Sequence, residues 1–475
     1  MRGDFTKTTL NTHAHGRNAV PGLLPQQKHK DDMSIINFFQ SRVALMTFAG
    51  FLAAGTFTSC KKKEGCTDPL ASNYDPDAED SDGSCVYAST GTQVINGVTY
   101  TIISGNIGSD RTLTSDKQWL LSGGVFVQSG VTLTIQPGTN VFAADDNTTP
   151  FLSIQRGGNV DAQGTAAQPI VFSTIKKVTG GAAAGNWGGI ILNGYASINI
   201  CGTPGCTAEG EGGSGTYGGS DDSDNSGVMK YVRVEYAGKI LGTDNELNGF
   251  SFNGVGSATV LEHLQAYLGS DDGFEFFGGT VSLKWAVSTG NSDDSFDWSH
   301  GWRGKGQFWV VQQTSATGDR GFEGDNWETD YTVTPFSSPM ISNFTLLGAV
   351  DGSANDGIRL RNGTKGKLWN GLITGFENGI KVGTECDAHV ASGELFTKNT
   401  VSYGNVTTWS NCGIFDPGTE TSNSSTDPGV LSGYVGVQVA GAVDPSSVDS
   451  WFTSVSFKGA VESGSDWTSG WTVAL

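Results

Sequence analysis

"SDDGFEFFGGT" at residues 270–280 is followed by "SDDSFDWSHG" at 292–301, so two acids, an aromatic and a third acid recur after one turn of sequence. The repeat extends in both directions. A small or polar residue, then Gly or Ser, then Phe or Ile recurs as "NGFSFNG" (248–254), "RGFEGDN" (320–326), "DGIRLRNGT" (356–364), "NGIKVGT" (378–384) and "CGIFDPGT" (412–419). The anchors Phe250, Phe274, Phe296, Phe322, Ile358, Ile380 and Ile414 are 24, 22, 26, 36, 22 and 34 residues apart. A unit near 22 residues, lengthened by loop insertions, is the mark of a solenoid. Each unit has a second apolar run about ten residues on, such as "VSLKWAV" (281–287), "QFWVVQ" (307–312) and "ISNFTLLG" (341–348), with no helical period.

These features predict an all-β chain built as a parallel β-helix, right-handed by the resemblance given below, with a short disulfide-closed acidic module before it. Composition agrees: 69 glycines and only 16% charged residues suit short strands and tight turns. The formal charge of −20 disfavours nucleic acid and anionic lipid as partners. No P-loop follows the glycine-rich 201–227 stretch, and the histidines form no zinc motif. Neither a nucleotide nor a redox cofactor is expected.

The beginning of the chain reads as an export signal. After Met33 come a basic residue, the apolar "VALMTFAGFLAAGTF" and "TSCKKKEG", a pattern that resembles a bacterial lipoprotein signal. Residues 1–32 are then an extension upstream of the true start, 33–59 the signal, Cys60 the lipidated residue and 60–65 a tether. The resemblance implies an exported outer-membrane lipoprotein on the periplasmic or cell-surface side. Seven cysteines less Cys60 leave three local pairs, Cys66–Cys85, Cys201–Cys206 and Cys386–Cys412, suited to an oxidising compartment.

Residues 66–87, "CTDPLASNYDPDAEDSDGSCVY", resemble a CTDP…NYDP…DGSC repeat of secreted Bacteroidota proteins and are similar to thrombospondin type 3 calcium repeats. Asp75, Asp77, Asp80 and Asp82 are the candidate Ca²⁺ ligands, by their hard oxygens on one tight loop. A soluble spacer closed by a disulfide needs the same residues. The β-helix is expected over 88–445, and the last coil with a C-terminal cap over 446–475.

"VFVQSGVTLTIQPGT" (125–139) and "FLSIQRGGNVDAQGT" (151–165) look like the opening coils of the pectin-lyase-like group. "NWGGIILNG" (186–194), "VMKYVRVEYAG" (228–238) and "DWTSGWT" (466–472) resemble a group of Bacteroidota lipoproteins. That resemblance implies a β-helix and an envelope location, but no particular activity.

Alternation along a strand turns the residue after each anchor outward. Glu275, Asp297 and Glu323 are thus expected as a column of carboxylates about 4.8 Å apart, continued by Arg359 and Lys381. Stacked acids at this spacing suit glycoside hydrolysis. Polygalacturonases share the fold and carry aspartates on consecutive coils, which Asp271–Asp272 resembles. Where they have Gly-His-Gly, this chain has Ser299-His300-Gly301. Lyases of this fold use calcium and a basic residue, for which Arg359, Arg361, Lys365 and Lys367 are candidates. Phe277, Trp298, Trp302 and Trp327 are candidate sugar-stacking residues. Turn chemistry alone also yields periodic acids, since Asp caps its own backbone and Gly supplies positive φ. The leading expectation is a surface lipoprotein that binds extracellular polysaccharide without turnover, with calcium as the candidate cofactor. A structural or adhesive scaffold contacting other surface proteins, and a polysaccharide hydrolase or lyase, are the alternatives.

Overall fold

The computed structural model of the protein describes residues 62–66, 77–81, 91–243, 245–314, 318–349, 356–410, 414–415, 423–427, 434 and 438–474. All lie in one compact unit, Lys61–Leu475. Cys60, Asp75, Asp82, Cys85 and Cys412 fall outside the described residues. Among those described, no helix is long and apolar enough to cross a membrane.

The chain coils into a parallel β-helix with three faces. The first face stacks Phe151–Ile154, Ile190–Asn193, Phe250–Asn253, Phe274–Phe277, Phe296–Ser299, Arg320–Gly324, Asp356–Leu360 and Asn378–Val382 in parallel. The second and third faces come from the two halves of longer strands such as Gly227–Glu235, Val260–Tyr267, Ser282–Thr289, Lys305–Gln312 and Met340–Leu347. An antiparallel hairpin, Thr92–Ile95 with Val98–Ile107, opens the stack.

The anchors form the core of the first face. Phe250, Phe274, Phe296, Phe322, Ile358 and Ile380 stand in one register column, all fully buried. Phe250, Phe274 and Phe296 stack nearly parallel at 5.1 and 4.8 Å. Ile414 does not continue the column, being 55% exposed. The bridges Asn378–Thr407 and Lys381–Ser410 instead bring Trp409 opposite Ile380, because the intervening connection is longer than the repeat anticipates.

The glycine before each anchor serves a different purpose from the one expected. None of Gly249, Gly321, Gly357 and Gly379 has positive φ. A Cβ on Gly249, Gly321 or Gly357 would sit 2.5–2.6 Å from the carbonyl oxygen of the next coil. Close stacking of coils, not turn geometry, requires glycine there.

Between the second and third faces each coil bends at a single left-handed residue: Tyr231, His263, Trp285, Phe308, Asn343, Asn370 and Asn399. Such φ values are uncommon for bulky side chains. Here the first four rings stack on one another at 4.1, 4.6 and 5.8 Å. Asparagine tolerates this conformation and takes over from Asn343 onward.

The C-terminal segment, expected to cap the end of the solenoid, instead runs along this corner as a strap. The Asn370 side chain accepts from the Val443 N–H and donates to its carbonyl, at 3.0 and 2.8 Å. Gln307 makes the same pair of bonds to Thr453, and Gln265 to Val473. Trp467 and Trp471 close edge-on over His263. The corner residues leave amides and rings facing outward, and the strap satisfies both.

Candidate functional site: a roofed pocket of carboxylates

The register of the acid column is as expected: Ser251, Glu275, Asp297, Glu323, Arg359 and Lys381 are successive partners on the first face. Its surroundings are not. Outward from the core does not mean into solvent here, since Ser251 is 2% and Glu323 5% exposed. The connections 194–226 and 236–243 with 245–249 roof this part of the face.

Nine carboxylates line one cavity of about 140 Å³. Glu275, Asp297 and Glu323 come from the strands. Asp271, Asp272, Asp293 and Asp294 come from the turns that lead into two of those strands. The roof contributes Glu211, from the short helical turn Glu211–Gly213, and Glu246, from the strand Asn245–Glu246. A backbone bond from Gly212 N–H to the Asn245 side chain, 2.8 Å, joins these two roof elements.

The acids overlap in sets whose oxygens lie within 4.8 Å of one another. Asp272, Glu275 and Asp297 form one set, and Asp294, Asp297 and Glu323 another, sharing Asp297. Asp271, Asp272 and Asp293 form a third. Burial first, and the neighbouring carboxylates second, push Asp271 up to about 8 and hold Asp272, Glu275, Asp294 and Asp297 well above the usual carboxylate range. Glu211 and Glu323 are pushed up to about 7, chiefly by burial.

Compensation is one-sided. Arg320 pairs with Asp294, Asp319 and Glu323 at 3.3, 2.9 and 3.0 Å. Arg361 pairs with Glu323 and Asp325 at 2.9 and 3.1 Å. Among the described residues, no basic side chain pairs with Glu211, Glu246, Asp271, Asp272, Glu275 or Asp297. Among the described residues, Glu275 is held by the amide of Asn248 alone, at 2.5 Å. Asp294, 2% exposed, keeps one carboxylate oxygen without any hydrogen-bond partner. A buried, unpartnered carboxylate oxygen among clustered acids is costly until the acid takes up a proton or a cation completes it. Six to eight hard oxygens are what Ca²⁺ takes, so these residues fit that ion.

A family model described as a pectate-lyase-like beta helix domain matches residues 105–472. The chain belongs to that family. Within this pectate-lyase-like chain a short segment is also similar to ribulose bisphosphate carboxylase/oxygenase activase 1, chloroplastic, of Larrea tridentata. The two are 56% identical over 41 residues, 9% of each chain. The chain thus spans about a tenth of that relative's length. No solved structure matches it.

The other expected site residues fall differently in this pectate-lyase-like fold. Arg359 stands in register beside Glu323 but does not line the pocket; Arg320 and Arg361 neutralise it instead. Lys365 is ion-paired with Glu394 at 2.6 Å. Trp298 and Trp302 are fully buried core residues, corrected here from sugar-stacking candidates. Their indole N–H groups donate to Thr364 and to the Val281 carbonyl. Gly324, opposite Trp298, leaves room for that indole. Phe277 is covered by the roof, packing on Ile198, Cys206 and Tyr217. Only Trp327 of the four aromatics is neither core nor roofed in this way, and it is partly exposed.

Cys201–Cys206 is a disulfide and holds that roof cluster. Cys66 is disulfide-bonded. Cys386 is a buried free thiol, correcting its expected bond to Cys412. In the acidic module, Asp77 and Asp80 are exposed and ion-paired with Lys63 and Lys62 at 3.6 and 3.0 Å.

The sequence reading missed Glu211 and Glu246, because loop residues have no register to betray them. It read Asp272 and Asp294 chiefly as turn residues, with Asp271–Asp272 also set beside the polygalacturonase aspartates. They are turn residues, but buried ones, and the doubled "DD" spelling was the available signal.

Proposed function

We propose that this chain recognises extracellular polysaccharide through a β-helix that takes up a divalent cation, Ca²⁺, in the carboxylate pocket, and that it binds without turnover. The observation that carries this reading is the buried Asp294 carboxylate, unpartnered at one oxygen inside a nine-acid cavity. Membership of the pectate-lyase-like family supports a polysaccharide as the ligand class. A cavity of about 140 Å³ is too small for a sugar ring, given that small-molecule sites run to roughly 300 Å³ and above. The acids therefore serve the ion, and the glycan meets the adjoining surface, where Arg359, Lys381 and Trp327 are partly exposed. The bound ion would neutralise the pocket and supply a positive centre to that surface. The signal-like 33–59 segment supports anchoring by lipid at Cys60 in the outer membrane, facing the periplasm or the cell surface.

Hydrolysis is a second reading, favoured by one observation: Glu323, pushed up to about 7, is the register neighbour of Asp297. A glycan panel with and without Ca²⁺, scored for both binding and released reducing ends, separates the two. Calcium-dependent binding with no release supports the first. Release that disappears in Asp297→Asn and Glu323→Gln establishes the second. Neither binding nor release with any glycan overturns both and leaves a scaffold.

A further inference from the structure

The two arginines at the Glu323 end of the pocket are held in different ways. Arg361 is seated by aligned hydrogen bonds, donating from Nη2 to Glu323 and from Nε to Asp325 at 2.9 and 3.1 Å. Arg320 is seated less well. Its Nη1 reaches Asp294 at 3.3 Å, long for a charge-assisted bond. Its Nε lies 3.0 Å from Glu323 Oε1, yet the two are misaligned and each remains without a hydrogen-bond partner. Its shortest ion pair, 2.9 Å, is with Asp319, which does not line the pocket.

The acids that Arg320 serves are the ones left incomplete. Asp294, Asp297 and Glu323 bring oxygens within 4.8 Å of one another, and each keeps a buried oxygen without a hydrogen-bond partner. Among the described residues, none of the other acid sets here does so in every member. Asp294 and Glu323 are themselves only 2% and 5% exposed, and all three side chains line the cavity. A guanidinium donates from a rigid planar fork, whereas a metal ion gathers oxygens from several directions. Arg320 thus lends this trio charge without satisfying its oxygens.

We propose that Arg320 is a displaceable counter-ion: a divalent cation held by Asp294, Asp297 and Glu323 takes its place, and the guanidinium moves to Asp319 alone. The proposal rests on the cation reading above and adds its regulation. Two positive groups on the same oxygens repel, so the ion enters by driving the arginine off. Arg320 thereby sets the cation concentration at which the pocket fills. Arg361, bonded to Asp325 as well, stays in place in both states.

The test is calorimetric Ca²⁺ titration of the whole protein and of Arg320→Gln, with melting of each in chelator and in saturating Ca²⁺. Arg320→Gln should bind Ca²⁺ about tenfold more tightly than the unmodified protein, because the competing charge is gone. It should melt lower in chelator, and the deficit should vanish with Ca²⁺. An arginine with a purely structural role would leave the deficit in both conditions. Asp297→Asn, which breaks none of the ion pairs described above, should lose the binding. Calcium affinity that is unchanged or weaker in Arg320→Gln overturns the displacement and leaves the cation site standing. Absence of calcium binding in both proteins overturns the cation reading with it. If Arg320→Gln fails to fold in chelator, Ca²⁺ should restore its circular dichroism, and a variant unfolded in both conditions overturns the exchange.

Discussion

The backbone N–H of Asp294 donates to a carboxylate oxygen of Asp272 across 2.8 Å, tying the turn before Phe296–Ser299 to the one before Phe274–Phe277. A single aspartate thereby fastens one coil and offers its remaining oxygen to the cavity. Asp272→Asn should separate these roles, because an amide oxygen still accepts the N–H while the charge is gone. Without calcium the variant should melt higher than the unmodified protein, since mutual repulsion is relieved. With calcium the order should reverse. Differential scanning calorimetry in chelator and in millimolar Ca²⁺ reads both.

Removing the cation should be visible in stability. A ligand at a hundredfold its dissociation constant stabilises the folded state by about 2.7 kcal/mol. Chelator should shift the denaturant midpoint by the equivalent amount. No shift at calcium levels that saturate a titration would mean that the ion binds folded and unfolded chains alike.

The tryptophans should sort by burial. Trp298→Ala and Trp302→Ala each empty a fully buried site and should cost about 3–5 kcal/mol. Trp327→Ala should cost little stability and, if the glycan surface lies there, should weaken glycan binding. Equal effects of all three on folding would contradict the packing described above.

His263 predicts an acid-sensitive strap. Burial between Tyr231, Trp285, Trp467 and Trp471 lowers it to about 4, and the Lys230 charge acts in the same direction. Its folded value lies below the ordinary histidine value near 6.5, so the unfolded chain binds the proton more readily. The stability it contributes is full above about 6.5 and is lost as pH falls through about 4. His263→Phe keeps the ring stack and removes the titration, so it should flatten that part of the stability profile. Tryptophan fluorescence across pH 3–7 (a range of roughly this width brackets both values) measures it.

Cys386 should be silent toward thiol reagents in the native protein. Its thiol is buried and pushed up to about 12, chiefly by burial, so almost none is thiolate at neutral pH. Labelling should appear only on unfolding. Rapid native labelling would show that the residue is accessible after all.

The fold was legible because a period near 22 residues leaves few alternatives, and because alternation within a strand dictates which residues share a column. Thus Glu275, Asp297 and Glu323 could be aligned before any coordinates. Ile414 went wrong where the loop preceding it broke that period. The roof was illegible for a different reason: the partners of Glu211 and Phe277 are set by connections without periodicity. The tryptophans misled because a wide β-helix core needs large rings, and sequence alone does not separate a ring that fills from a ring that displays.

A solenoid whose coils touch only their neighbours can fray from either end, each coil melting nearly on its own account. The strap changes that. Its contacts reach from Asn370–Val443 to Gln265–Val473, the latter spanning 208 residues of sequence. Coils that never meet one another are thereby held to a common splint, so the loss of one weakens the docking of several. Unfolding over this stretch should be cooperative where a plain stack would be gradual, and a one-residue insertion in any spanned coil should be felt far from where it is made.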